Sequence, residues 1–180
     1  MPDLPQIYLT DMRLHLEKLR ATAEGAITQT DDAHFTAAPD AETNSIAITV
    51  KHVAGNLKSR FSGFLVSDGE KPDRHRDDEF ILKSGDTRAA LMARWAESWD
   101  LMLHALGSLG GDALLQTVHI RGEPFTVIAA LNRNLAHLAY HTGQIAQLAK
   151  HYAGSGWKTL SVARGASEAY TADLRSRTGP

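Results

Sequence analysis

Four stretches of the chain repeat their apolar residues every three or four positions, the spacing of one helix face. The first runs from about Leu4 to Ala23, with Leu4, Ile7, Leu14, Leu16 and Leu19 on a loose stripe, and Gly25 with the polar residues after it is expected to end it. The second starts near Thr43 or Asn44, either of which can accept a backbone N–H as an N-cap, and its stripe is Ile46, Val50, Val53, Leu57, Phe61 and Phe64. The third is capped by Ser84 or Thr87, buries Leu91, Trp95, Trp99, Met102, Leu103 and Leu106, and stops at Gly107, Gly110 and Gly111. Pro124 or Thr126 opens the fourth, which carries Leu131, Leu135, Leu138, Thr142, Ile145, Ala149 and Tyr152 and reaches about Gly154.

Between these segments the pattern breaks in two informative ways. The run Ser67 to Glu79 mixes both signs of charge and reads as a solvated connection. Around Arg121-Gly122, alternating and β-branched residues predict a short hairpin before the last long helix. The tail after Gly156 holds Trp157 and a short helix near Ser167–Leu174. Repeated strand signals are missing, so the expectation is an all-α chain, a four-helix bundle with long connections, in a single domain over 1–180 with its core at about 5–155 and a tail at 156–180.

Composition narrows the chemistry. Of 180 residues 43% are hydrophobic and 22% charged, an ordinary globular balance. The net charge of -2 does not favour a broad basic face, so neither nucleic acid nor an anionic membrane is expected as a partner. No apolar run reaches the roughly 20 residues of a membrane span, and the first residues lack the basic patch and apolar core of a secretory signal. The expected location is therefore cytoplasmic. With no cysteine there is no disulfide framework, thiolate zinc finger, iron–sulfur cluster or cysteine nucleophile, and any thiol must arrive with a substrate.

The nine histidines are about twice average usage. His137 and His141 stand four apart on one helix face, where two imidazoles can share a metal ion. Random scatter would give about 0.4 such pairs, so the spacing alone is a weak motif. Stepping about 100° per residue puts both on one flank of the apolar stripe, at the border of core and crevice. A third ligand must come from another helix, and His52, among Ser45, Ile48, Asn56 and Ser59, is the candidate. The competing expectation for each histidine is an ordinary hydrogen-bonded boundary residue. Other motifs are missing: there is no His-Glu-x-x-His, no glutamate three residues before a histidine, no phosphate loop and no Gly-x-Ser-x-Gly.

Asn44 to His52, followed by Gly55-Asn56, and His137-Leu-Ala-Tyr-His141-Thr-Gly-Gln144 resemble the second and the later His-x-x-x-His helix of the DinB-like bundles, metal-dependent four-helix proteins related to YfiT and to the bacillithiol and mycothiol S-transferases. The resemblance spans about residues 5–155. Asn56–Arg60, Ser67–Lys71, Arg76–Phe80, Ile120–Glu123 and Trp157–Ser161 are similar to a narrower, uncharacterised branch. The resemblance implies a bundle of the DinB type with a divalent ion on His52, His137 and His141. Zinc suits three imidazoles best, with nickel, iron and manganese as alternatives. Three neutral ligands leave the ion its charge and an open position, where water or a low-molecular-weight thiol deprotonates near neutral pH. The resemblance also implies a homodimer.

No residue is assigned as catalytic. Gln144 and Asn56 are placed to hydrogen-bond behind the ligands; Arg60 is placed to meet an anionic substrate, or else to pair with Asp77, Asp78 or Glu79. Tyr140 reads as packing, and His15, His34, His75, His104, His119 and His151 as structural or solvated. Two function classes follow: a metal-dependent enzyme transferring a thiol to, or hydrolysing, a small molecule; or a non-enzymatic, stress-associated binding or scaffold bundle with a structural or adventitious metal. Structural zinc sites are usually closed by four protein ligands, which favours the enzyme.

Overall fold

A computed structural model describes residues 3–178 of the chain, so the expected domain bounds at 1 and 180 lie outside the described residues. It is mostly helical, with one small sheet: α1 (Leu4–Ile27), α2 (Asp32–Thr36), α3 (Ile46–Phe61), α4 (Arg88–Gly107), β1 (Thr117–Ile120), β2 (Glu123–Thr126), α5 (Val127–Ala153) and α6 (Ser167–Thr178). Five helices begin on a side-chain cap. Asp3, Asp31, Ser45, Thr87 and Thr126 each accept the backbone N–H three residues on, worth about 1 kcal/mol apiece. The four long helices share one core, α1 lying on α5, α3 on α4, and α3 also on α5. Trp95, Trp99, Phe35, Leu16, Leu57 and Leu138 are among its fully buried side chains. No helix among the described residues is long and apolar enough to cross a membrane.

The stripes of α3, α4 and α5 bury as expected, although Leu103, Leu135 and Tyr152 are only half-buried and Phe64 lies beyond the end of α3. The α3 cap is Ser45, one residue after Asn44 and two after Thr43. The stripe of α1 needs correcting. Leu4, Ile7 and Leu14 are exposed, while Leu9, Met12, Leu16, Ala23, Ala26 and Ile27 form the buried face. Leu9, Met12 and Leu16 take the inward register in the first half of α1, and Ala23, Ala26 and Ile27 in the second. Gly25 does not stop the helix. Leu160 Cδ2 lies 3.0 Å from where a Cβ would stand on it, so this glycine makes a notch for the tail. Trp157 likewise packs against the core.

The hairpin forms where the alternation put it, with Ile120 opposite Glu123. Arg121 and Gly122 both have positive φ, 57° and 77°, the two left-handed residues of a tight hairpin turn. The run 67–79, expected to be solvated, folds back onto α3 instead. Asp68 accepts the amides of Arg121 and Gly122 at 2.8 and 2.7 Å, and Gly69 N–H donates to His119 O at 2.8 Å. Glu70, Arg74 and Glu79 pair with one another and with Arg60 of α3, while Asp73, His75, Arg76, Asp77 and Asp78 stay exposed as expected. The run ends in a short 3₁₀ turn, Arg76–Phe80, that carries Glu79 against α3.

Candidate metal centre

His52 comes from the middle of α3, and His137 and His141 from one face of α5. The structure brings all three rings together. His137 Nε2 lies 3.2 Å from His52 Nε2 and 3.1 Å from His141 Nε2. Tetrahedral ligands about 2.0–2.1 Å from a zinc ion stand about 3.3 Å apart, so the spacing fits a divalent ion.

The outer ring nitrogens decide the tautomers. His52 Nδ1–H donates to Glu79 Oε2 at 2.8 Å, and His141 Nδ1–H to Gln144 Oε1 at 2.8 Å. Each bond turns an Nε2 lone pair toward the common centre. His137 can offer a proton from Nε2 to only one of them, so the remaining lone pairs face each other unless a cation lies between. His137 Nδ1 is buried without a hydrogen-bond partner, leaving that ring the least firmly oriented of the three.

Burial favours the neutral, metal-binding form of His137 and His141. Burial, then the neighbouring His141 and His52 and the more distant Arg60 and Arg74, push the His137 pKa down to about 3. Burial also lowers that of His141, against the Gln144 hydrogen bond. For Glu79 burial acts upward, but the His52 hydrogen bond and the Arg74 pair outweigh it and hold the carboxyl below its usual range. Arg74 grips Glu79 with Nε at 2.8 Å and Nη2 at 2.9 Å, and reaches Glu70 at 3.1 Å. A chain from Glu70 through Arg74 and Glu79 thus orients His52.

Gly55 makes room for this chain. A Cβ there would fall 2.3 Å from Glu79 Oε1, so only glycine lets the carboxylate pass close over α3.

A cavity of about 280 Å³ opens beside His52 and His137. Asn56 and Asn134 line it next to the histidines, Phe61, Phe64 and Ile120 give it an apolar wall, and five arginines also line it. His119 is exposed at its edge.

Gln144 therefore meets its expected partner, His141. Asn56 reaches the cavity but makes no hydrogen bond to a histidine. Arg60 is paired with neither Asp77, Asp78 nor Glu79; it holds Glu70 at 3.0 Å and the Gly69 carbonyl. Tyr140 is exposed, its ring edge-on to His141 at 5.1 Å, so its reading as packing is corrected. Sequence reasoning missed Glu79, Arg74 and Phe80, whose ring lies 4.9 Å from His52. The available signal was Gly55 itself, since a glycine inside a helical pattern marks a close approach.

No curated protein and no solved structure matches the chain. A family described as "Protein of unknown function (DUF1572)" matches residues 3–166, which include α1 to α5 and every residue of the centre, and the chain belongs to that family.

Proposed function

We propose that this chain is a divalent-metal-dependent enzyme of the DinB-like, four-helix type, with the ion on His52, His137 and His141 and a small molecule as its substrate. The observation that carries the reading is the convergence of three Nε2 atoms, two of them aimed by hydrogen bonds at Nδ1. Zinc suits the all-imidazole set best, and when bound it supplies Lewis acidity that lowers the pKa of a thiol or water beside it.

The chain's own residues do the rest. Glu79 and Gln144 fix the tautomers of His52 and His141. Asn56 has no side-chain hydrogen bond of its own among the described residues, and its amide lies in the cavity wall, free to orient a reactant. Phe61, Phe64 and Ile120 exclude water from one side. The chain has no cysteine, and among the described residues no serine, lysine or carboxylate lines the cavity, so the proposal takes the nucleophile from outside the chain. The reaction class that follows is attack by an incoming thiol, or by water, on a small electrophile. A homodimer is part of the proposal, supported by Leu4, Ile7 and Leu14 exposed at helical spacing on α1.

The test is a panel of small thiols and electrophiles offered to metal-loaded protein and to the His141→Ala variant. Turnover that needs metal, is lost on chelation and is missing in the variant supports the enzyme. Equal background rates across several metals favour a binding or scaffold protein instead.

A further inference from the structure

We propose that the cavity beside the histidines binds a small amphipathic anion, its carboxylate or phosphate end held by Arg133, Arg121 and Arg76 and its body lying on the apolar wall toward the histidines. The assignment rests on the reading of the histidines as the reactive end of the site, but not on which metal they hold.

The first support is charge without an answering acid. Arg60, Arg74, Arg76, Arg121 and Arg133 line the cavity and no Asp or Glu does. Two of the five have structural partners: Arg74 holds Glu79 and Glu70, and Arg60 holds Glu70. The remaining three are exposed and loosely held. Arg121 reaches the already shared Glu70 only at 3.4 Å, and Arg76 approaches the fully exposed Asp77 at 3.7 Å. Arg133 has no carboxylate partner among the described residues and lies over the Phe125 ring at 5.6 Å. Surface arginines usually find acids in a chain with 21 Asp and Glu against 19 Lys and Arg, so three under-paired ones at one mouth are a local excess. The field extends inward. Burial foremost, and repulsion from Arg74 and Arg121, lower the pKa of Arg60 against the attraction of Glu70.

The second support is the layout. On α3 the lining residues run from His52 through Asn56 to Arg60, one and two turns on; on α5 they run back from His137 through Asn134 to Arg133. Both helices thus grade from imidazole to amide to guanidinium in the same direction across the cavity. At 1.5 Å per residue, Arg133 stands about 6 Å along its helix from His137 and Arg60 about 12 Å from His52. A ligand that reaches both ends is therefore short. The cavity, about 280 Å³, is at the small end of ligand pockets. Phe61, Phe64, Val118 and Ile120 supply the cavity's apolar lining, Ile120 and Arg60 lying close together beside Gly69. Guanidinium groups suit a carboxylate or phosphate in a bidentate grip, which a neutral head cannot answer.

Hexanoate, hexyl phosphate and the neutral hexanamide are the probes, titrated by calorimetry into the metal-loaded protein and into the chelator-treated protein. One or both anions should bind about tenfold more tightly than hexanamide, and addition of salt should erode the difference. Preference for hexyl phosphate marks a phosphorylated substrate, and preference for hexanoate a carboxylic acid; either supports the proposal. Arg133→Gln and Arg76→Gln together should weaken the anions by about tenfold and leave hexanamide unchanged. If the preference survives chelation, the arginine site stands even where the metal reading fails. Three results overturn it: hexanamide binding as tightly as the anions, anion binding that vanishes on chelation and ignores both arginine substitutions, or no binding of any probe in the millimolar range.

Discussion

Replacing Glu79 by Gln isolates what one buried carboxylate does for a histidine ligand. In the native chain Glu79 accepts the His52 Nδ1 proton at 2.8 Å with a full charge, whereas His141 has only the neutral Gln144 at the same distance. Gln is nearly isosteric and its oxygen can still accept, so His52 keeps its direction and loses the charge behind it. Charge-assisted hydrogen bonds are about twice as strong as neutral ones, a difference of about 1–1.5 kcal/mol. That corresponds to a fall in metal affinity of about tenfold, the low end of what partners behind a ligand contribute. Arg74 keeps Glu70 at 3.1 Å, so the fold survives with a stability loss of about 2 kcal/mol. The assay is chelator competition for zinc on the metal-free protein, with helical circular dichroism as the control for folding. Zinc affinity within about twofold of wild type, in a folded variant, would refute the claim that Glu79 tunes His52.

Gly55→Ala should act through the same carboxylate. Its Cβ would meet Glu79 Oε1 at 2.3 Å, so zinc affinity is expected to fall at least as far as in Glu79→Gln, measured by the same competition. Asp86, almost fully buried between Lys51 and Arg94, has its pKa lowered from 3.8 to about 2 by those partners and the Lys83 amide, which outweigh its burial. Between the two values the unfolded chain binds more protons than the folded one, so this contribution is complete above about pH 4 and is lost as pH falls toward 2. Asp86→Asn should cost about 2 kcal/mol at neutral pH and flatten the acid limb of stability relative to wild type in urea titrations. Sedimentation at micromolar concentration should give a dimer that Leu14→Glu dissociates; a monomeric wild type would remove the assembly from the proposal.

Much of the frame was legible because its signals were local. Thr87 and Thr126 each precede a strong apolar stripe, and an Arg-Gly pair sits between two alternating runs, so α4, α5 and the hairpin follow from neighbouring residues. The His137–His141 pair was legible for the same reason, and His52 because the metal needs a ligand from a second helix. What failed was non-local. Leu4, Ile7 and Leu14 are about as apolar as the buried Leu9, Met12 and Leu16, so residue type alone does not say which set faces inward; the packing of α1 on α5 does. Glu79 stands 27 residues from His52, in a run whose charges look solvated until Arg60 and Arg74 are seen to face Glu70 and Glu79. Pairing across a folded loop leaves no periodicity in the chain.

The central claim is that His52, His137 and His141 together hold one divalent ion. Protein purified without a histidine tag should be analysed for metal by plasma mass spectrometry, beside His52→Ala and His137→Ala variants that keep their helical signal. One equivalent of a divalent metal in the wild type, lost from both variants, is the expected result. A full equivalent retained by either folded variant, or none taken up by the wild type from a zinc-containing buffer, would contradict it.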